Sequence, residues 1–254
     1  MLNRSRVKTR SCLGLLFTLV GVPLVATAAP FSFQNVIARA KQLAGQPYRR
    51  PPAIPKYLRE LGYRTFEQIK LKPKHWLWSA DHSRFRVGPV SAGYVFDHPI
   101  KLHVVDESGV HAIRYLRDAF SYPTKKLQER IPADLGYAGF QIGYAFGAKH
   151  TRRRSFLVFL GASYFRGVGD SEVYGTSARG IAIDTGLPTG EQFPRFTSYW
   201  LVRPRPDADA MKFYALLNGK SLTGAYRFVV YPGKRTHLMV KAVLFTRRVV
   251  KRLG

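Results

Sequence analysis

Hydrophobic positions along this chain keep two different periods, and the change between them divides it. In residues 33–43 (FQNVIARAKQL) apolar side chains fall at 33, 36, 37, 40 and 43. That spacing puts them on one face of an α-helix. Ser32 stands where an N-cap side chain is wanted, and Gly45 followed by Pro47 stops the helix. After Pro51, Pro52 and Pro55, residues 57–69 predict a short second helix broken at Gly62.

From Arg84 onward the period falls to two. Phe85-Arg86-Val87 opens it, and residues 100–105 (IKLHVV) continue it into the turn Asp106-Glu107-Ser108-Gly109. Residues 110–113 then resume the alternation, which predicts a hairpin. Further strands are predicted at 140–144, 156–159, 212–217, 223–230 and 237–245, the last two joined by the turn Pro232-Gly233-Lys234-Arg235. Strands at this spacing predict a mainly β protein. It should be a large antiparallel β-sandwich, with one or two short N-terminal helices leaning on a sheet. No internal repeat or low-complexity tract interrupts it.

One stretch stands apart for its polar content. Residues 156–204 start as an apolar strand, pass through a loop rich in Gly, Ser, Tyr and Arg, and return through strand-like runs. A β-scaffold builds a concave binding face in this way. Aromatic faces stack on the C–H faces of sugar rings, and guanidinium and carboxylate groups satisfy the hydroxyls. Tyr164, Arg166, Tyr174, Arg179, Asp184 and Trp200 are therefore the candidate saccharide contacts. As core aromatics and surface cations they would look the same. Asp184, between Ile183 and Thr185, reads equally as a carboxylate that supports a turn or pairs with Arg179.

Composition narrows the partners. Aromatics make up 13% of 254 residues and apolar residues 46%, ample for a packed core. The net charge of +26 raises nucleic acid, anionic polymer or membrane surface as partners. The cations are scattered, with short clusters only at 152–154, 234–235 and 247–248, so a solvated basic surface accounts for them and no nucleic acid partner is expected.

The first 28 residues carry Arg4, Arg6, Lys8 and Arg10, then an apolar run over 13–25, then Ala26-Thr27-Ala28. This is the pattern of a cleavable secretory signal, and no membrane span is expected after its removal. The single cysteine, Cys12, lies within it, so the exported chain has neither disulfide nor cysteine ligand.

Motifs for other chemistries are missing. The seven histidines show no HxH or HExxH spacing, so no metal is expected. His103 reads as a strand-face side chain. Ser163 lacks the GxSxG elbow, and Gly167-Val168-Gly169 is too short for a phosphate loop. No cofactor is expected.

Several longer motifs carry a resemblance: LVFLGASYFRGVG, VYGTSARGIAIDTG, GEQFPRFTSYWLVRP and LTGAYRFVVYPG, with weaker similarity in FQNVIARAKQLAGQPYRRPP and YLRELGYRTFEQIKLKP. Together they resemble the periplasmic glucan biosynthesis protein G/D family across essentially the whole chain after the signal.

The resemblance implies a periplasmic protein that binds and shapes a β-1,2-linked glucose backbone. Members look like inverting hydrolases, which place an acid and a base about 6.5–9.5 Å apart. They are also about twice as long and carry a second, immunoglobulin-like domain. On this reading residues 29–254 are the first part of a glucan-binding sandwich, an incomplete one, and the catalytic carboxylates lie beyond Gly254. No residue inherits a catalytic role. A second polypeptide supplying the missing half, or poor solubility without it, is the corresponding expectation. The alternatives are a non-catalytic carbohydrate-binding module and, after it, a basic protein that binds an anionic polymer or membrane surface.

Overall fold

The computed structural model describes residues 30–147 and 152–254, apart from the Arg152 side chain. The signal expected at 1–28, with Cys12 inside it, lies outside the described residues. Helices α1 (Phe33–Ala44), α2 (Lys56–Arg59) and α3 (Tyr63–Glu67) precede the strands, and α4 (Lys125–Arg130) comes among them. The strands are β1 (Lys70–Leu71), β2 (Phe85–Ser91), β3 (Lys101–Asp106), β4 (Gly109–Ala112) and β5 (Phe120–Ser121). They continue with β6 (Tyr137–Phe146), β7 (Arg152–Leu160), β8 (Tyr164–Gly167) and β9 (Ala178–Arg179), then β10 (Arg195–Val202), β11 (Met211–Asn218), β12 (Leu222–Tyr231) and β13 (His237–Thr246).

Two sheets carry the fold: a six-stranded one in the order β13-β12-β11-β10-β3-β4 and a five-stranded one in the order β2-β6-β7-β8-β9. The strands β1 and β5 pair separately. Strand alternation decides what lies between the sheets. From β12, Leu222, Tyr226, Phe228 and Val230 join the shared core, while Ala225 points to the other side. Aromatic rings lock the layers together. Phe140 of β6 meets Tyr199 of β10 edge-on at 4.9 Å, and Phe159 of β7 meets Phe228 of β12 at 5.1 Å. Each fully buried Phe stabilises the fold by about 1.5–3 kcal/mol.

The expected sandwich is present, with one departure from antiparallel pairing. Strands β3 and β10 run parallel, from Ser198↔Lys101 to Val202↔Val105. Alternation identifies a strand but carries no direction for its neighbour, so the sequence could not show this. At the far edge, among the described residues, β13 pairs only with β12 and leaves Met239 and Val240 exposed.

Helix α1 lies against the outer face of the six-stranded sheet. Its Phe33, Val36 and Ala40 pack with Trp200, Tyr214 and Ala225. At its start the Ser32 backbone N–H donates to Asn35 Oδ1 at 2.7 Å. At its end Arg247 donates to the carbonyls of Leu43 (2.6 Å) and Gln46 (3.0 Å), and also to Gly219 O (2.6 Å) and Asn218 Oδ1 (3.0 Å). One cation thus satisfies carbonyls at the helix C-terminus and ties them to the β11–β12 turn.

The expected second helix forms as α2 and α3, interrupted near Gly62, which is the N-cap of α3. Helix α4, capped by Thr124 accepting from Leu127 N, was not foreseen. Its six residues are too few to show a clear period.

Candidate functional site

The outer face of the five-stranded sheet is only partly covered. Trp76 lies over Gly88 of β2 and Gly143 of β6; a Cβ at Gly88 would come within 2.9 Å of the indole ring. Only glycine allows that contact. Beyond Trp76 the same face opens into a groove of about 820 Å³.

Alternation again chooses the floor. Val90, Gln141, Val158, Tyr164 and Arg166 come from β2, β6, β7 and β8. Its sides include Tyr63, Phe66 and Glu67 of α3 together with Phe96, Phe193 and Arg195. Phe66 packs on Phe96 at 5.5 Å between centroids. At the rim Tyr63 is 58% exposed and Phe193 52%. An open trough with exposed aromatic faces and convergent donors suits an extended polar ligand with apolar ring faces.

Arg179 braces this rim. It pairs with Glu191, donates to Tyr164 Oη at 3.3 Å and to Thr185 Oγ1 at 3.0 Å. Its guanidinium sits over the rings of Tyr164 (5.8 Å) and Phe193 (5.9 Å). Burial opposes its charge, but the Glu191 carboxylate and Tyr164 outweigh that and raise its pKa. Arg166 is held by Nε donating to Ser177 Oγ at 2.5 Å.

Of the six sequence candidates, Tyr164 and Arg166 line the groove and Arg179 supports Tyr164. The structure sends the other three elsewhere. Tyr174 is exposed, near Ser155 and Arg154 and outside the groove, and partial desolvation of its hydroxyl raises its pKa. Asp184 adopts φ +55° in a turn, where its Oδ2 accepts from Gln192 Nε2 at 3.1 Å. Arg179 takes Glu191 as its ion-pair partner, not Asp184. Trp200 is 1% exposed beneath α1, on the opposite sheet. Tyr63, Glu67, Gln141, Phe193 and Arg195 were not singled out from the sequence. Four of them, Tyr63, Glu67, Phe193 and Arg195, lie inside the resemblance motifs YLRELGYRTFEQIKLKP and GEQFPRFTSYWLVRP.

Among the described residues no group of three or more His, Cys, Asp or Glu is placed to hold a metal ion. No helix among them is long and apolar enough to cross a membrane.

Fold and site together define a β-sandwich protein with an aromatic-rimmed groove laid over one sheet. The chain belongs to the family described as Periplasmic glucan biosynthesis protein, MdoG, whose profile matches residues 31–254. It is 44% identical to Glucans biosynthesis protein G of Ralstonia nicotianae over 237 residues, covering 93% of this chain and 47% of that protein. The protein of the same name from Pseudomonas aeruginosa is 39% identical over 255 residues, covering 99% and 47%. Glucans biosynthesis protein D 1 of Ralstonia nicotianae is 41% identical over 234 residues, covering 91% and 43%. The chain therefore spans about half the length of the curated relatives it matches.

Proposed function

We propose that this chain acts in the biosynthesis of periplasmic glucans by holding a glucose polymer in the groove over the five-stranded sheet. The carrying observation is the groove itself, where Tyr164, Phe193 and Tyr63 offer ring faces beside Arg166, Gln141 and Arg195. Rings stack on pyranose faces while the donors take the hydroxyls, and an open trough admits a chain rather than a single sugar. Family membership supports the glucan as ligand. We take the site of action to be the periplasm, reached through the cleavable signal at 1–28. The mass of the mature chain in a periplasmic extract tests that cleavage.

Binding without cleavage is the expected behaviour. Glu67 is the one carboxylate among the described residues that line the groove, and inverting hydrolysis needs a separated pair. Titration of the chain with linear β-1,2-glucan should show binding, and prolonged incubation should leave the chain length unchanged. Failure to bind, or binding indifferent to both Tyr164→Ala and Phe193→Ala, would remove the groove reading. Shorter products would replace it with a hydrolase.

The second polypeptide expected from the sequence would dock at β13, since an unpaired strand edge is a template for further strands. A chain that stays monomeric and melts cooperatively alone counts against it.

A further inference from the structure

Next to the groove, the same sheet face carries hydrogen-bond donors without acceptors. Arg86 of β2 stands opposite Gly143 of β6, and Gly143 stands opposite Ser155 of β7. Directly paired residues share a face, so Arg86 and Ser155 flank the glycine on the outer side. Arg153 is two residues before Ser155 and lies on that face too, opposite Ala145. Its Nη1 donates to Ser83 O at 3.2 Å, which draws the guanidinium across β6 towards the start of β2 and Arg86.

Arg86 Nε and Ser155 Oγ are both buried without a hydrogen-bond partner. The Tyr174 hydroxyl lies near Ser155 but outside hydrogen-bonding geometry. Burial, and after it the charge of Arg86, lower the pKa of Arg153, and no carboxylate offsets them. The two desolvated donors, Arg86 Nε and Ser155 Oγ, are costly unless something completes them, and the exposed Arg153 stands beside them as a second cation.

We propose that Arg86, Arg153 and Ser155 form a site for a tetrahedral oxyanion, a phosphate or sulfate group. Guanidinium forks bind such groups through paired N–H donors, and a serine hydroxyl adds a third direction. The neighbouring outer-face row, Gly88, Gln141 and Val158, reaches the groove floor about 7 Å farther along the strands. Trp76 lies over Gly88 and over Gly143, the glycine that Arg86 and Ser155 flank, so its indole borders the site on the groove side. The oxyanion is therefore either free or carried as a substituent by the ligand in the groove. The site rests on the unpartnered donors and not on the glucan reading.

Calorimetric titration and thermal unfolding of the chain with sodium phosphate, against sodium chloride at equal ionic strength, test it. Phosphate should bind at one site and raise the melting midpoint, and chloride should do neither. The Arg86→Gln/Arg153→Gln double variant should weaken phosphate binding at least tenfold. Ser155→Ala, which changes no charge, should weaken it about threefold and serves if the double variant does not fold. Lys125→Gln, at an exposed lysine paired with Glu129, should change nothing.

A second arm compares a phosphorylated glucan oligosaccharide with its neutral counterpart. Stronger binding of the phosphorylated form identifies a substituent, and a response to inorganic phosphate alone identifies a free anion; either supports the site. The proposal is overturned if neither phosphate source outperforms its control, or if the double variant and Ser155→Ala bind phosphate like the unaltered chain. Neutral oligosaccharide should bind the double variant normally, so failure of that binding bears on the groove alone.

Discussion

The two sheets have similar inner faces and opposite outer ones. On the six-stranded sheet α1 closes the outer face. Trp200 is sealed there, with His103 stacked on it at 5.3 Å, Phe31 at 5.3 Å and the Arg39 guanidinium above at 5.1 Å. On the five-stranded sheet the cover reaches only as far as Trp76. Past it, Tyr164 lines an open groove and Phe193 stays half exposed. Both Trp200 and Tyr164 are strand aromatics from one 50-residue stretch. What separates core from candidate contact is whether a distant element lies on top.

Removing the sealed ring should show the largest effect. Trp200→Ala leaves a cavity under α1 and should cost about 3–5 kcal/mol in denaturant unfolding. Glucan affinity of the folded fraction should be unchanged. If affinity falls while stability holds, the two faces have been assigned the wrong way round.

Arg247→Ala attacks the cover instead of the ring. It strips acceptors at the α1 C-terminus of their donor and should cost roughly 2 kcal/mol, with faster amide exchange in α1. The groove, on the other sheet, should bind as before.

Phe193→Ala is the mirror experiment. Its ring is half exposed, so stability should change by less than about 1 kcal/mol. Affinity for linear glucan should fall about tenfold, roughly 1.4 kcal/mol. A large stability loss instead would make this ring part of the core.

The smallest effect is a pH dependence confined to the covered face. Burial, with Arg39 and Lys101, lowers the pKa of His103, although Nδ1 approaches Tyr199 O at 3.1 Å and that contact raises it. The folded chain thus takes up this proton at lower pH than the unfolded chain, whose histidine titrates near 6.5. Its stabilising share is present above about pH 6.5 and is lost as pH falls towards the folded pKa. For a half-buried group the loss should be under about 1 kcal/mol, and His103→Gln should flatten it in unfolding measured from pH 7 to 5. Among the described residues no histidine lines the groove, so glucan binding should vary little over the same range.

Much of the fold was legible in the chain because its signals are local. The 33–43 pattern forms α1 (Phe33–Ala44), Gly62 marks the break between α2 and α3, and the 237–245 alternation forms β13 (His237–Thr246). The candidate site was half legible. Tyr164, Arg166 and Arg179 meet at the groove, but Tyr63 and Glu67, which also line it, come about a hundred residues earlier. No spacing rule links the two.

Sequence alone determined where the longer strands and the long helix would form and which of their residues would share a face, because backbone geometry imposes those periods on any segment long enough to show them. It also carried the motifs that identify the family. Tertiary structure decided the rest: that β3 and β10 run parallel, that α1 covers one sheet, and that Trp76 stops short on the other. Those outcomes depend on elements far apart in the chain competing to bury the same apolar surface. A period of two says that a strand has two faces, and only packing says which one is left for a ligand.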